Sequence, residues 1–167
     1  MQGFKKKSGT FKEIHKMIKI LFVCHGNICR SPSAEYIMKD IAARNGRTDI
    51  ETDSAAVSGE ETGNPIYPPS ARELDRHGIP HERGCARRIT PSDCEKYDLI
   101  VCMDESNVRA LTDRFGEEIR GKIKLLSDYA GLSRIDDPWY TRDFARAYEE
   151  ISRGCENLFI SLSGHVD

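Results

Sequence analysis

Apolar positions along the chain fall into short unbroken runs, separated by stretches in which they recur every three or four residues. The first run, 18–23, is interrupted only by Lys19 and predicts a buried strand. A helix over 33–44 follows, with Ala34, Ile37, Met38, Ile41 and Ala42 on one face and Asn45-Gly46 as its stop. A short strand over 50–54 leads into a loop holding Gly59, Gly63, Asn64, Pro65, Pro68 and Pro69. Residues 70–77 predict a helix closed by Gly78, and 83–88 a solvated basic stretch. Thr90-Pro91 offers an N-cap followed by proline at the first helical position, so a short helix starts there. A fully apolar strand over 99–103 precedes a helix over 104–115, with Val108, Leu111 and Phe115 on one side. A fourth strand spans 122–126, and a long loop, 127–140, carries Asp136-Asp137-Pro138-Trp139-Tyr140. The last helix, 143–162, turns Phe144, Ala147, Tyr148, Ile151, Cys155, Leu158 and Leu162 inward.

Strands alternating with helices predict a single α/β domain, a parallel four-stranded sheet with helices on both faces. The 167 residues suffice for one such domain with its own core, placed here over 17–167. Residues 1–16 form a polar extension outside it, without the apolar segment and cleavage site of a secretory signal. In such sheets ligands bind beyond the carboxyl ends of the strands. The first strand ends at Cys24, so that end is where chemistry is expected.

Charge changes this picture little. A formal net charge of -2, with no basic stripe, gives no reason to expect nucleic acid. The apolar runs are strand-length, so no membrane insertion is expected. Six cysteines spread over a chain of this size point to reduced thiols in the cytoplasm. No Cys-x-x-Cys pair supports a metal site, and Cys85, Cys94, Cys102 and Cys155 are read as structural.

The loop between the first strand and the first helix carries the chemistry. It runs Cys24-His25-Gly26-Asn27-Ile28-Cys29-Arg30, followed by Ser31-Pro32. Its backbone N–H groups can turn inward, Gly26 lets backbone approach a ligand closely, and the helix N-terminus adds positive potential. Arg30 can hold two phosphate oxygens through its planar fork. These groups favour a thiolate at Cys24, and the Ser31 hydroxyl can donate to its sulfur. Such a socket suits attack by sulfur on a phosphate ester. The leaving oxygen needs a proton, for which Asp137, with Asp136 beside it, is the candidate. Trp139 and Tyr140 supply an apolar wall for an aromatic ring.

Taken together, these residues resemble the low-molecular-weight protein tyrosine phosphatases. The signature loop from Cys24 to Pro32 matches, and so do Asp53-Ser54-Ala55-Ala56, Gly63-Asn64-Pro65, His77-Gly78-Ile79, Cys102-Met103-Asp104 and Asp137-Pro138. The resemblance implies that Cys24 is the nucleophile, Arg30 the phosphate clamp and Asp137 the general acid and base. It implies that Asn27, Ser31, Ser54 and His77 form a network holding the loop in a strained, anion-binding shape. It implies further that phosphotyrosine-containing proteins are the partners and that no metal or organic cofactor is used. Cys29 would pair with an oxidised Cys24 and protect it. Where the family often carries an aromatic residue in the pocket loop, this chain has Glu60 beside Glu61, so the wall facing Trp139 is acidic. Arsenate reductases of similar fold relay a disulfide through two further cysteines, but after Cys102 the next cysteine is Cys155. Protein arginine phosphatases tend to carry Thr where this chain has Ile28, whose bulk favours an aryl ester.

Overall fold

A computed structural model describes residues 16–82 and 84–163. The expected extension over 1–16 therefore lies, apart from the exposed Lys16, outside the described residues. Four strands, β1 (Ile18–Cys24), β2 (Ile50–Ala56), β3 (Leu99–Cys102) and β4 (Ile123–Leu125), form one sheet in the order β2-β1-β3-β4. Every pairing is parallel, and the register sets Cys24 opposite Ala56 and Val23 opposite Cys102. The carboxyl ends of the three longest strands thus share one edge, with Cys24 at its centre.

Seven α-helices are described: α1 (Arg30–Arg44), α2 (Pro68–Arg76), α3 (Pro91–Lys96), α4 (Glu105–Phe115), α5 (Leu126–Ala130), α6 (Pro138–Thr141) and α7 (Phe144–Ser163). They cover both faces because side chains alternate along each strand. Ile20 and Phe22 of β1 pack with Ile37, Met38 and Ile41 of α1 and with Ile151, Cys155 and Leu158 of α7. Leu21 and Val23 point the other way, to Val108 and Leu111 of α4 and to Ile119. All four of these β1 side chains are fully buried, each contributing roughly 1.5–3 kcal/mol. At Gly154 a Cβ would lie 2.8 Å from the Leu126 side chain, so glycine there lets α7 approach α5 closely. No helix among the described residues is long and apolar enough to cross a membrane.

The differences from the expected elements are local. Helix α1 begins at Arg30, not at 33, because Pro32 sits in its first turn, where no N–H is needed. Strand β2 continues to Ala56, and Ala56 N–H and C=O bond onward to Arg87 C=O and Ile89 N–H. Helix α2 starts two residues early, at Pro68. The stretch 127–140 is not one loop, since α5 fills its start and α6 begins at Pro138. The expected solvated stretch over 83–88, of which 84–88 lie within the described residues, is there only partly solvated. Ala86 is buried, and Arg87 pairs with Asp53 at 3.1 Å and Asp93 at 2.9 Å.

Candidate active site

The signature loop leaves β1 at Cys24 and enters α1 at Arg30, turning through Asn27 with φ of 60°. That left-handed conformation is disfavoured for most side chains and best tolerated by asparagine. Here the Asn27 side chain is pinned on three sides. Its Nδ2 donates to Ser31 Oγ at 2.8 Å and to Ser54 Oγ at 3.0 Å, and its Oδ1 accepts from the Arg87 N–H at 3.1 Å. Ser54 Oγ donates in turn to Glu35 Oε1 at 2.7 Å, and Lys39 Nζ meets Glu35 Oε2 at 2.7 Å.

The direction of this chain follows from its ends. Glu35, paired with Lys39, accepts from Ser54, so the Ser54 proton goes to it. The Arg87 N–H only donates, so Oδ1 faces it and both Nδ2 protons go to the two serines. Ser31, already an acceptor, has its own proton left for Cys24 Sγ at 3.0 Å. Two backbone N–H groups, of Asn27 at 3.3 Å and Ser31 at 3.4 Å, complete the surroundings of the sulfur. The sulfur is ringed by donors, the environment of an anion.

Ser54→Ala would leave the buried Glu35 Oε1 without its donor and one Asn27 proton without an acceptor. We expect a loss of about 1–3 kcal/mol, read as a lower midpoint in urea unfolding. An unchanged midpoint would remove Ser54 from the network.

Arg30 is 3% exposed, and its Nη1 donates to both Asp104 Oδ2 and the Ile135 carbonyl, each at 2.8 Å. Its Nη2 lies 3.4 Å from Asp137 Oδ2. Burial opposes its charge, but Cys24, Asp137 and Asp104 outweigh burial and hold the guanidinium above its ordinary range. Asp104 caps α4 by accepting from the Asn107 N–H. Burial would raise its carboxyl, yet hydrogen bonds from Ser106 and Arg30 hold it below the usual carboxylate range. Cys29 is buried, and burial above all pushes its thiol up to about 12, so it rests protonated within the loop.

Above this floor opens a cleft of about 180 Å³. Cys24, His25, Gly26, Asn27, Ile28, Cys29 and Arg30 form its base, Glu60 and Glu61 one wall, and Asp137, Trp139 and Tyr140 the other. Asp137 caps α6 through Oδ1, which accepts from the Trp139 N–H at 3.0 Å, and so presents Oδ2 to Arg30. Asp136 turns away to an ion pair with Arg134 at 2.8 Å. Trp139 is 43% and Tyr140 79% exposed on that wall. Glu60 reaches His25 Nε2 at 3.4 Å, and Glu61 accepts from Asn64, so the acidic wall is tied to the base.

One expected site residue is elsewhere. His77 ends α2, stacks on Tyr148 with ring centroids 3.8 Å apart and lies 4.0 Å from Glu73; it makes no contact with Asn27, Ser31 or Ser54. Glu35 and the Arg87 backbone take the place assigned to it. A histidine next to a helix-stopping glycine carries no signal separating a stacked ring from a network member. Glu35, Arg87 and Asp104 were not anticipated. Glu35 could have been found, since it lies one helical turn beyond Ser31 on the same face. Asp104 could have been found too, as it follows the strand whose end lies beside Cys24.

The sequence pattern of the family described as "Low molecular weight phosphotyrosine protein phosphatase" matches residues 19–166. A Bacillus subtilis relative, the low molecular weight protein-tyrosine-phosphatase YfkJ, is 39% identical over 150 residues, covering 87% of this chain and 96% of its own. The human low molecular weight phosphotyrosine protein phosphatase is 41% identical, covering 81% of this chain and 90% of its own. The crystal structure of YfkJ superposes with a TM-score of 0.87 at 38% identity, over 91% of this chain and 98% of that one. A Drosophila arginine phosphatase superposes with a TM-score of 0.79 at 30% identity, over 90% of this chain and all of that one. Signature loop, sheet order and sequence agree, and the chain belongs to the low molecular weight phosphotyrosine protein phosphatase family.

Proposed function

We propose that this protein hydrolyses phosphotyrosine monoesters in proteins through a phosphocysteine intermediate. The observation that carries the reading is the convergence on one cleft of Cys24 Sγ, ringed by donors, the Arg30 guanidinium and the Asp137 carboxyl. The Cys24 thiolate attacks phosphorus and forms an S–P bond while the P–O bond to the tyrosyl oxygen breaks. The departing oxygen takes the proton of the Asp137 carboxyl. The resulting Asp137 carboxylate then removes a proton from water, whose oxygen displaces sulfur from phosphorus and frees inorganic phosphate. Arg30 keeps Nη1 on Asp104 and Ile135, so Nε and Nη2 are the edge that clamps the phosphoryl oxygens.

Substrate choice follows from the walls. The nucleophile lies at the floor of the cleft, 3% exposed, which favours the longer reach of a phosphotyrosine over that of a phosphoserine. Trp139 meets one ring face, and Ile28 at the base adds apolar bulk. Among matched peptides, phosphotyrosine should exceed phosphoarginine in kcat/KM by about 10–200-fold, the discrimination an apolar pocket supplies. Phosphoserine should be cleaved more slowly still. A preference for phosphoarginine would replace this reading by that of an arginine phosphatase. Glu60→Tyr should raise activity on phosphotyrosine if the acidic wall limits it. A thiolate nucleophile works only while reduced, which supports a reducing compartment such as the cytoplasm as its place of action.

A further inference from the structure

Arg142 plays no part in the chemistry above, yet its exposed side chain is anchored beside the cleft by two hydrogen bonds and three aromatic rings. It follows α6 and sits with φ of 61° and ψ of 14°, one of two non-glycine residues among those described with positive φ. The other is Asn27, in the signature loop. Asparagine tolerates that conformation through its short polar side chain; arginine has no such compensation of its own. As the left-handed cap of α6, Arg142 donates its N–H to the Pro138 carbonyl at 2.9 Å.

Its side chain is held in addition among three aromatic rings. The Arg142 guanidinium carbon lies 5.4 Å from the Tyr67 ring centroid, 5.8 Å from that of Trp139 and 5.2 Å from that of Phe144. Its Nη2 donates to the Tyr67 hydroxyl at 3.0 Å and its Nη1 to the Trp139 carbonyl at 3.3 Å. The Tyr67 and Trp139 rings also meet directly, 4.9 Å apart. Tyr67 is itself tied to the base of the site, because its N–H donates to the Ile28 carbonyl at 2.8 Å. Arg142 therefore closes a continuous path from Asp137, through α6 and Tyr67, to the signature loop.

That path matters because α6 cannot hold itself. Four residues are far below the length at which a helix is stable alone. At rest Asp137 has a second anchor, Arg30 Nη2 at 3.4 Å, but a bound phosphoryl group competes for that same edge of the guanidinium. The anchor is lost when the acid is needed, and the clamp at the far end of α6 remains.

We propose that Arg142 is a positioning residue that fixes the acid-bearing loop, acting on catalysis only through Asp137. The inference rests on the phosphatase reading given above. Its consequence is selective. A phenolate leaving group needs the proton of Asp137, whereas a nitrophenolate, a far weaker base, departs with little help. Removing the clamp should therefore harm a poor leaving group and spare a good one.

The test measures kcat/KM, which reports the first phosphoryl transfer, for phenyl phosphate and p-nitrophenyl phosphate. Arg142→Ala should lose about 10–100-fold on phenyl phosphate, the scale of an ångström-sized misplacement, and under about threefold on p-nitrophenyl phosphate. Arg142→Gly, which accepts the left-handed backbone without strain, should behave the same. In an Asp137→Asn background neither change should cost anything further on either ester. Equal losses on both esters, equal losses in both backgrounds, or full activity in Arg142→Gly would overturn the proposal. Should Asp137→Asn itself leave phenyl phosphate hydrolysis intact, the acid assignment fails first and this inference falls with it. An intact parent, a damaged Asp137→Asn and an undamaged Arg142→Ala would condemn the inference alone.

Discussion

Cys24→Ser is expected to abolish hydrolysis of aryl phosphates, by roughly a million-fold, while inorganic phosphate still binds. The size of the loss follows from what surrounds the sulfur. Its partners are the N–H groups of Asn27 and Ser31 and the Ser31 hydroxyl, all of which stabilise an anion and none of which removes a proton. Sulfur is the nucleophile that such a ring of donors suits. A serine hydroxyl, a far weaker acid, needs a base, and the Asp137 carboxyl that faces Arg30 is reserved for the leaving oxygen. The binding side of the socket does not depend on sulfur. Loop N–H groups, the start of α1 and Arg30 remain, so calorimetric titration with phosphate should give an affinity at least equal to that of the parent. Residual turnover above the level of buffer alone would mean that another residue serves as nucleophile.

Much of this site was legible in the sequence because each part lies where one structural period hands over to another. Cys24 ends an apolar strand, Arg30 begins a helix, and Asp137 precedes a proline that can only start one. Such junctions are visible residue by residue, and the parallel sheet then brings its strand ends to one edge. The inward faces of α1 and α7 were legible for the same reason, since Ile37, Ile41, Ile151 and Leu158 keep a strict helical spacing. What stayed hidden were contacts between residues distant in sequence with no period of their own. Arg87 supports the loop through its backbone N–H, a group every non-proline residue has, and its side chain is occupied with Asp53 and Asp93. His77 shows the reverse failure: a residue type rich in chemistry, placed by its neighbours in an aromatic stack. Helices α5 and α6 were missed because four or five residues carry less than two turns of periodicity.

Arg30→Lys is expected to lower kcat/KM by roughly 10³–10⁵-fold, the worth of a charge-clamping arginine in phosphoryl transfer, although the formal charge is kept. Arg30 does two tasks at once. One nitrogen is spent on Asp104 and the Ile135 carbonyl, which fixes the plane of the guanidinium, and the remaining edge faces the place of the phosphoryl group. A lysine has a single nitrogen for both tasks. If it stays on Asp104, the phosphoryl oxygens lose their bidentate partner. If it turns to the phosphoryl group, Asp104 and the Ile135 carbonyl lose their donor. Burial adds to the deficit, because it disfavours a lysine charge, whereas the Arg30 charge is held by Cys24, Asp137 and Asp104 against the same burial. The loss should appear in phosphate affinity as well as in turnover, since the clamp holds oxygens in the ground state and holds them better as they spread in the transition state. Raising the pH should deepen it, because the buried lysine loses its proton where arginine would not. A variant with parental phosphate affinity and a flat pH dependence would show that charge alone, without the fork, is enough at this position.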